Sequence, residues 1–321
     1  MHFTRRDIGR MIAAAAASAA LPRSAEAALD DQAYLFAYFE HARKNEPGLR
    51  LAVSDNGLRY TAVQGGRRFL IPEVGESKLM RDPFLFRGRG AGAPWHLLWT
   101  TAWEGVTIGH AYSYDLVRWS PQQAIPVMAA FPGTRNCWAP EAVWDRRRRQ
   151  WVIFWASTVT GRFPETAGTS ESGYNHRMYA TTTRDFRTFK PTRLFYDPGF
   201  SVIDATFFED DRGRLHMIVK DETVNPPKKH LRIARARTPL GPFDPLSPPL
   251  PGSWVEGPSA IRVGRDTIIF FDRYRDKRYG ALRSRDLRRW EDISHFIRMP
   301  VGASHGTVMK APRALLAAII G

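Results

Sequence analysis

One seven-residue pattern recurs along this chain, and few folds accommodate it. Ser113-Tyr114-Asp115-Leu116-Val117-Arg118-Trp119 is one copy, Thr183-Arg184-Asp185-Phe186-Arg187-Thr188-Phe189 a second and Ser284-Arg285-Asp286-Leu287-Arg288-Arg289-Trp290 a third. Ser54-Asp55-Asn56-Gly57-Leu58-Arg59-Tyr60 is a degenerate fourth, and Thr238-Pro239-Leu240-Gly241-Pro242-Phe243 fills the slot of a fifth. A strand ends in a hydroxyl residue, an Asp side chain satisfies its own backbone, and an aromatic opens the next strand. These are the parts of a tight hairpin. On this reading Asp55, Asp115, Asp185 and Asp286 are turn formers. A hairpin repeated at such intervals signals one supersecondary unit used several times.

Each copy follows an apolar stretch that begins with a polar group. These stretches are Arg81–Phe86, Glu141–Trp144, Ile203–Phe208 and Glu256–Ile261. With the strands between, residues 82–121 divide into Arg81–Phe86, Trp95–Thr101, Thr107–Ser113 and a strand from Trp119. Residues 139–196 divide in the same way, and 203–247 and 255–294 repeat the four-strand scheme. Left over are three strands at the start, 34–39, 49–53 and 59–63, and one near the end, Ser304–Lys310. Together they supply a fifth unit. Four-stranded units repeated radially are the blades of a β-propeller. The expectation is therefore an all-β, five-bladed propeller. Its ring is closed by the N-terminal strands joining the C-terminal strand in the last blade, which removes an open sheet edge. Helical periodicity is missing from the middle of the chain, and the proline-rich Pro239–Pro251 stretch reads as a loop.

In a propeller the innermost strand of each blade lines the central channel, so residues at the starts of those strands face one another. Asp82, Glu141, Asp204, Glu256 and His305 are those residues, one per blade. Several carboxylates in one concavity titrate apart, because repulsion and burial raise one while neighbouring donors hold another ionised. Glycoside hydrolysis needs that division: one protonated acid for the leaving oxygen and one carboxylate to activate water. Taken singly, Asp82 before a proline, Asp204 at a strand end and Glu256 before Gly-Pro also read as turn or loop residues. A hydrogen-bonded core histidine is the plain reading of His305.

Five segments in order resemble glycoside hydrolase family 43 and its relatives among five-bladed furanosidase propellers. They are Arg81-Asp82-Pro83, Trp138-Ala139-Pro140-Glu141, Ile203-Asp204 with Phe207 to Gly213, Val255-Glu256-Gly257-Pro258, and His305-Gly306-Thr307-Val308. The resemblance implies Asp82 as general base, Asp204 as the carboxylate that tunes and orients the acid, and Glu256 as general acid. It also implies inversion at the anomeric centre, with carboxyl groups roughly 6.5–9.5 Å apart to admit water. His305 matches a channel histidine beside a central calcium ion or water cluster, so a structural Ca2+ and a ligating His305 are expectations from the resemblance alone. This chain carries Glu141 and Ser304 where relatives more often have other residues. Glu141 is therefore expected to contact substrate.

Sugar stacking requires aromatics at the channel mouth. Trp103 follows the second strand of the first blade, Trp138 and Trp254 directly precede channel strands, and all three are expected to bind substrate with Glu141 and His305. Trp95, Trp99, Trp151 and Trp155 fall inside strands and are expected in the core. The long insertion from Thr158 to His176 is expected to overhang the pocket.

The formal net charge of +15 raises an anionic partner as a reading. However, the Arg146–Arg149 run sits at a hairpin tip without the interleaved aromatics of a base-stacking platform. No nucleic-acid partner is expected. Thr4-Arg5-Arg6-Asp7-Ile8, the apolar run Met11–Leu21 and Ala25-Glu26-Ala27 have the make-up of a twin-arginine-type export signal. Residues 1–27 are thus expected to be a leader and 28–321 a single catalytic domain. The protein is expected in the periplasm or outside the cell, as a monomer with no stable membrane insertion. With Cys137 alone there is no internal disulfide.

The expected function is an inverting glycosidase acting on terminal pentofuranosides of plant or microbial polysaccharides, with α-L-arabinofuranoside first. A β-xyloside or galactofuranoside is the alternative within the fold, and a non-catalytic carbohydrate-binding propeller the alternative outside it.

Overall fold

The computed structural model describes residues 32–41 and 46–320; the leader expected at 1–27 lies outside the described residues. The chain begins with β1 (Gln32–Glu40), β2 (Leu49–Ser54), β3 (Thr61–Ala62) and β4 (Arg68–Leu70), which belong to one sheet. The next sheet is β5 (Arg81–Arg87), β6 (Trp95–Thr100), β7 (Ile108–Ser113) and β8 (Gln123–Ile125). Then come β9 (Trp138–Asp145), β10 (Gln150–Ser157), β11 (Arg177–Thr183) and β12 (Arg193–Tyr196). The fourth sheet is β13 (Val202–Glu209), β14 (Leu215–Asp221) and β15 (His230–Arg235). The fifth is β16 (Glu256–Val263), β17 (Asp266–Arg273), β18 (Arg278–Ser284) and β19 (Glu291–Asp292). Finally β20 (Ala303–Pro312) pairs antiparallel with β1, giving the order β20-β1-β2-β3. The channel strands β5, β9, β13, β16 and β20 pack on one another in sequence and β20 returns to β5, so the ring closes. This is the expected five-bladed propeller with its two ends joined in one blade.

The hairpin repeat works by the expected hydrogen bonds. Ser113 Oγ accepts the N–H groups of Asp115 and Leu116, and Asp115 Oδ1 accepts those of Val117 and Arg118. Thr183 with Asp185, and Ser284 with Asp286, do the same. In the N-terminal copy the acceptor is Asn56, which takes the N–H groups of Leu58 and Arg59. Asp55 is not the turn former; it pairs outward with Arg313. The fourth position of each copy is left-handed, at Leu116, Phe186, Leu287 and Gly57. Two side-chain acceptors per turn hold those leucine and phenylalanine backbones in a conformation they rarely adopt alone.

Two further expectations are corrected. The strand expected at 59–63 shrinks to the pair Thr61–Ala62, because Tyr60 N–H donates to Arg298 O and the chain then turns. The blade expected over 203–247 has three strands. Prolines interrupt its fourth-strand slot, and a proline offers no ladder donor. The N–H groups of Asp244, Ser247 and Leu250 nonetheless reach the carbonyls of Arg235, Ile233 and Leu231, so an irregular segment covers the edge of β15.

The core is five apolar clusters, each between adjacent blades. Trp95, Trp99, Trp151 and Trp155 are buried in them, as expected. Each fully buried large apolar side chain contributes roughly 1.5–3 kcal/mol relative to exposure. A helix absent from the sequence reading, α1 (Arg313–Ile320), presses Leu316 and Ile319 onto the closing blade.

Candidate active site

All five channel strands begin with the same irregularity. Arg81 faces Thr100 and Phe84 faces Leu98, so three steps on β5 oppose two on β6. The same one-residue excess occurs between Trp138 and Glu141, Ile203 and Thr206, Glu256 and Ser259, and Ser304 and Thr307. These are β-bulges, which bend a strand and re-aim its side chains. The second bulge residue is left-handed in four blades: Asp82, Ala139, Asp204 and Gly257. His305 holds that place in the fifth.

The five residues read as equivalent strand starts therefore occupy three different levels. Asp82, Asp204 and His305 share the second bulge position. Glu256 stands one residue earlier and Glu141 two residues later. The reason is local: in the Glu256 blade the second position belongs to Gly257, whose added Cβ would lie 2.4 Å from His305 Cγ. Gly257→Ala is expected to lose at least about 2 kcal/mol of stability, from overpacking and left-handed strain. Thermal melting together with residual activity checks it.

His305 is the hub of the cluster. Its Nδ1 lies 3.2 Å from Asp82 Oδ1 and 4.0 Å from Asp204 Oδ2. Burial works against its charged form, but Asp204, Asp82 and Glu256 outweigh it and raise the imidazole to about 10. Asp82 also accepts a hydrogen bond from Thr100 Oγ1 at 2.7 Å. Burial pushes Asp82 up, yet the His305 charge and hydrogen bond, Arg81 and Thr100 bring it down to about 2. Asp204 accepts the Gly257 N–H at 3.0 Å. Burial and the charges of Glu256 and Asp82 raise it to about 6 despite His305 and Lys220. At neutral pH Asp82 is thus ionised, while Asp204 lies near its titration range.

Glu256 is burdened by burial but held below its ordinary value by Lys220, whose Nζ sits 2.9 Å from Oε2. Glu141 lies deeper, on a level with the hydroxyl residues Thr206, Ser259 and Thr307. Burial, reinforced by Asp204, raises it to about 8, so it is largely protonated at pH 7.

The second strand of each blade contributes a matching ring. Opposite the first bulge residues stand Thr100, Ala156, Lys220, Asp272 and Phe39. Three of these are polar and face the cluster, and none was singled out from the sequence. Lys220-Asp221-Glu222, a charged run ending an apolar strand, was the legible signal for one of them. Asp272 accepts the His305 N–H at 3.3 Å, and burial beside Glu256 raises it to about 7.

At the rim, Trp103 is half exposed and Trp138 stands edge-on to it at 5.7 Å. Arg81 lies over the Trp103 ring at 4.3 Å. The insertion brings Tyr174 and His176 against Trp138, at 4.7 and 4.9 Å. Trp254 packs near Tyr274 at 6.4 Å, with the Arg275 guanidinium over its ring face at 2.9 Å. Of these three tryptophans Trp103 is the most exposed. Among the described residues no three His, Cys, Asp or Glu side chains converge as a metal-ligand set. His305 Nδ1 is turned to Asp82. A calcium-ligating role for His305 therefore rests on the resemblance alone.

A family model described as a probable glycosyl hydrolase domain, related to glycoside hydrolase family 43, matches residues 30–314. The chain belongs to this family. Among solved structures, a thermostable family-43 glycoside hydrolase superposes with a TM-score of 0.55 at 15% identity, covering 70% of this chain and 78% of that one. The α-L-arabinofuranosidase from Lactobacillus brevis gives 0.52 at 17%, covering 67% and 72%. At such identities the likeness is one of fold. A curated α-L-arabinofuranosidase of Bifidobacterium longum is 35% identical over 80 residues, 23% of this chain. The chain matches only 7% of the length of that relative.

Proposed function

We propose that this family 43-related protein is an inverting glycoside hydrolase acting on terminal pentofuranosides, with α-L-arabinofuranosides first. The observation that carries the reading is the split of one buried cluster into an ionised Asp82 and carboxyls able to hold a proton. Asp82, oriented by His305 and Thr100, draws a proton from water as that water attacks the anomeric carbon. Glu256, which Lys220 holds ionised in the free protein, must first take up a proton and then delivers it to the departing glycosidic oxygen. Asp204 lies beside both His305 and the Gly257 backbone and shares the negative charge with Glu256, so its titration governs that of the acid. Trp103 and Trp138 supply apolar faces for the sugar ring.

The arabinose preference is supported by the two arabinofuranosidases among the relatives, at fold level and over a short segment. Export and monomeric action on polysaccharide remain part of this proposal. Hydrolysis of nitrophenyl α-L-arabinofuranoside, β-D-xyloside and β-D-galactofuranoside tests it. The arabinofuranoside is expected to turn over fastest, with the inverted anomer appearing first by NMR. Glu256→Gln is expected to cut kcat/KM by about 10²–10⁴-fold, most on poor leaving groups. A folded protein that binds these sugars but hydrolyses none of them would instead be a carbohydrate-binding propeller.

A further inference from the structure

Lys220 is 1% exposed and lies between two carboxylates, 2.9 Å from Glu256 Oε2 and 2.8 Å from Glu222 Oε2. Glu222 also pairs with Lys229, itself 1% exposed, and Lys229 reaches Glu171 at 3.4 Å. The result is an alternating line, Glu256–Lys220–Glu222–Lys229–Glu171. It starts at the proposed acid and ends in a 3-10 turn, Glu171–Gly173, of the insertion that also carries Tyr174 and His176. Val224 N–H donates to Thr169 O, so the strand-end segment and the insertion are joined by backbone as well. Lys220 meets both carboxylates at once but brings one positive charge to two negative ones, and burial removes water as a competitor for either.

We propose that Lys220 is a positioning residue for Glu256, that its grip is set by competition with Glu222, and that Lys229 and Glu171 carry this competition to the 158–176 insertion. The inference rests on the reading of Glu256 as the acid. When Lys220 leans on Glu256 the carboxyl stays ionised; when it leans on Glu222, Glu256 is freed to take the proton it must deliver. The other charged groups facing Glu256 are His305, Arg81, Asp204 and Asp272, from β20, β5, β13 and β17. Around Lys220 stand also Asp204 and Tyr274. His176, from the insertion, lies near both lysines and is kept neutral by burial, so it does not compete.

Parity gives the test a sign. Removing a lysine next to Glu256 must raise its titration midpoint, whereas removing the far glutamate must lower it. Losing Glu171 lets Lys229 hold Glu222 more firmly, which returns Lys220 to Glu256. The measurement is the protonated-carboxyl infrared band of Glu256 in substrate-free protein, assigned by subtracting Glu256→Gln. Lys220→Met is expected to raise the midpoint by about 1–3 pH units, the effect of one close opposite charge. Lys220→Arg, which keeps the charge, is expected to restore the low midpoint. Glu171→Gln, on a residue half exposed and safe to change, is expected to lower it. A midpoint unmoved in Lys220→Met, or raised equally in Lys220→Arg, overturns the role of Lys220. One unmoved in Glu171→Gln overturns the link to the insertion. Because the readout needs no turnover, it fails separately from the catalytic reading, which falls if Glu256→Gln keeps full activity.

Discussion

Asp82→Asn is expected to leave a folded protein whose turnover has dropped by about 10²–10⁴-fold, the usual contribution of a positioned base. Asparagine keeps the shape of the side chain and tolerates the left-handed backbone that Asp82 adopts, with φ at 52°. What it loses is the negative charge toward which His305 Nδ1 and Thr100 Oγ1 point as donors. The amide nitrogen meets one of these donors with a donor, and the protonated His305 is left with Asp204 and Glu256. Water near the anomeric carbon then has no base. A small anion tests this: azide needs no deprotonation, so it is expected to restore turnover in Asp82→Asn and to yield the inverted glycosyl azide. Wild-type rates in Asp82→Asn would remove Asp82 from the mechanism.

The largest effect on stability is expected one step behind the proposed acid, at Glu222→Gln. Glu222 is the anion between two fully buried lysines, and without it Lys229 retains only the half-exposed Glu171. Breaking a buried pair by removing one partner costs about 3–5 kcal/mol, because the remaining charge stays desolvated. For a protein of this size each kcal/mol moves the melting midpoint by roughly 2–4 °C. A fall on the order of 10 °C in calorimetry is therefore expected. A change below about 1 kcal/mol would mean that the lysines find water when Glu222 is gone.

The propeller and its closure were legible because the hairpin repeat is local. A hydroxyl, an Asp or Asn acceptor and an aromatic at fixed spacing determine one turn, and turns at regular intervals determine blades. The channel residues Asp82, Asp204 and Glu256 were legible for the same reason. Their exact levels were not. The bulges that separate Glu256 and Glu141 from the other three arise from pairing with a neighbouring strand, and no spacing along one strand reveals them. Lys220 and Asp272 were missed because their importance lies in what they oppose across the sheet. The proline-rich stretch after β15 was readable as unable to pair, yet its remaining N–H groups still cover the edge.

The join between β1 and β20 has a meaning for the order in which the site is assembled. Of the five channel strands, β20 is the last in sequence, and it carries His305. A chain synthesised only through β19 already holds Asp82, Glu141, Asp204 and Glu256 but lacks the cation that most offsets their repulsion. The strand that zips the ring shut is thus also the one that neutralises its centre. Folding and charge balance are completed by the same stretch of chain.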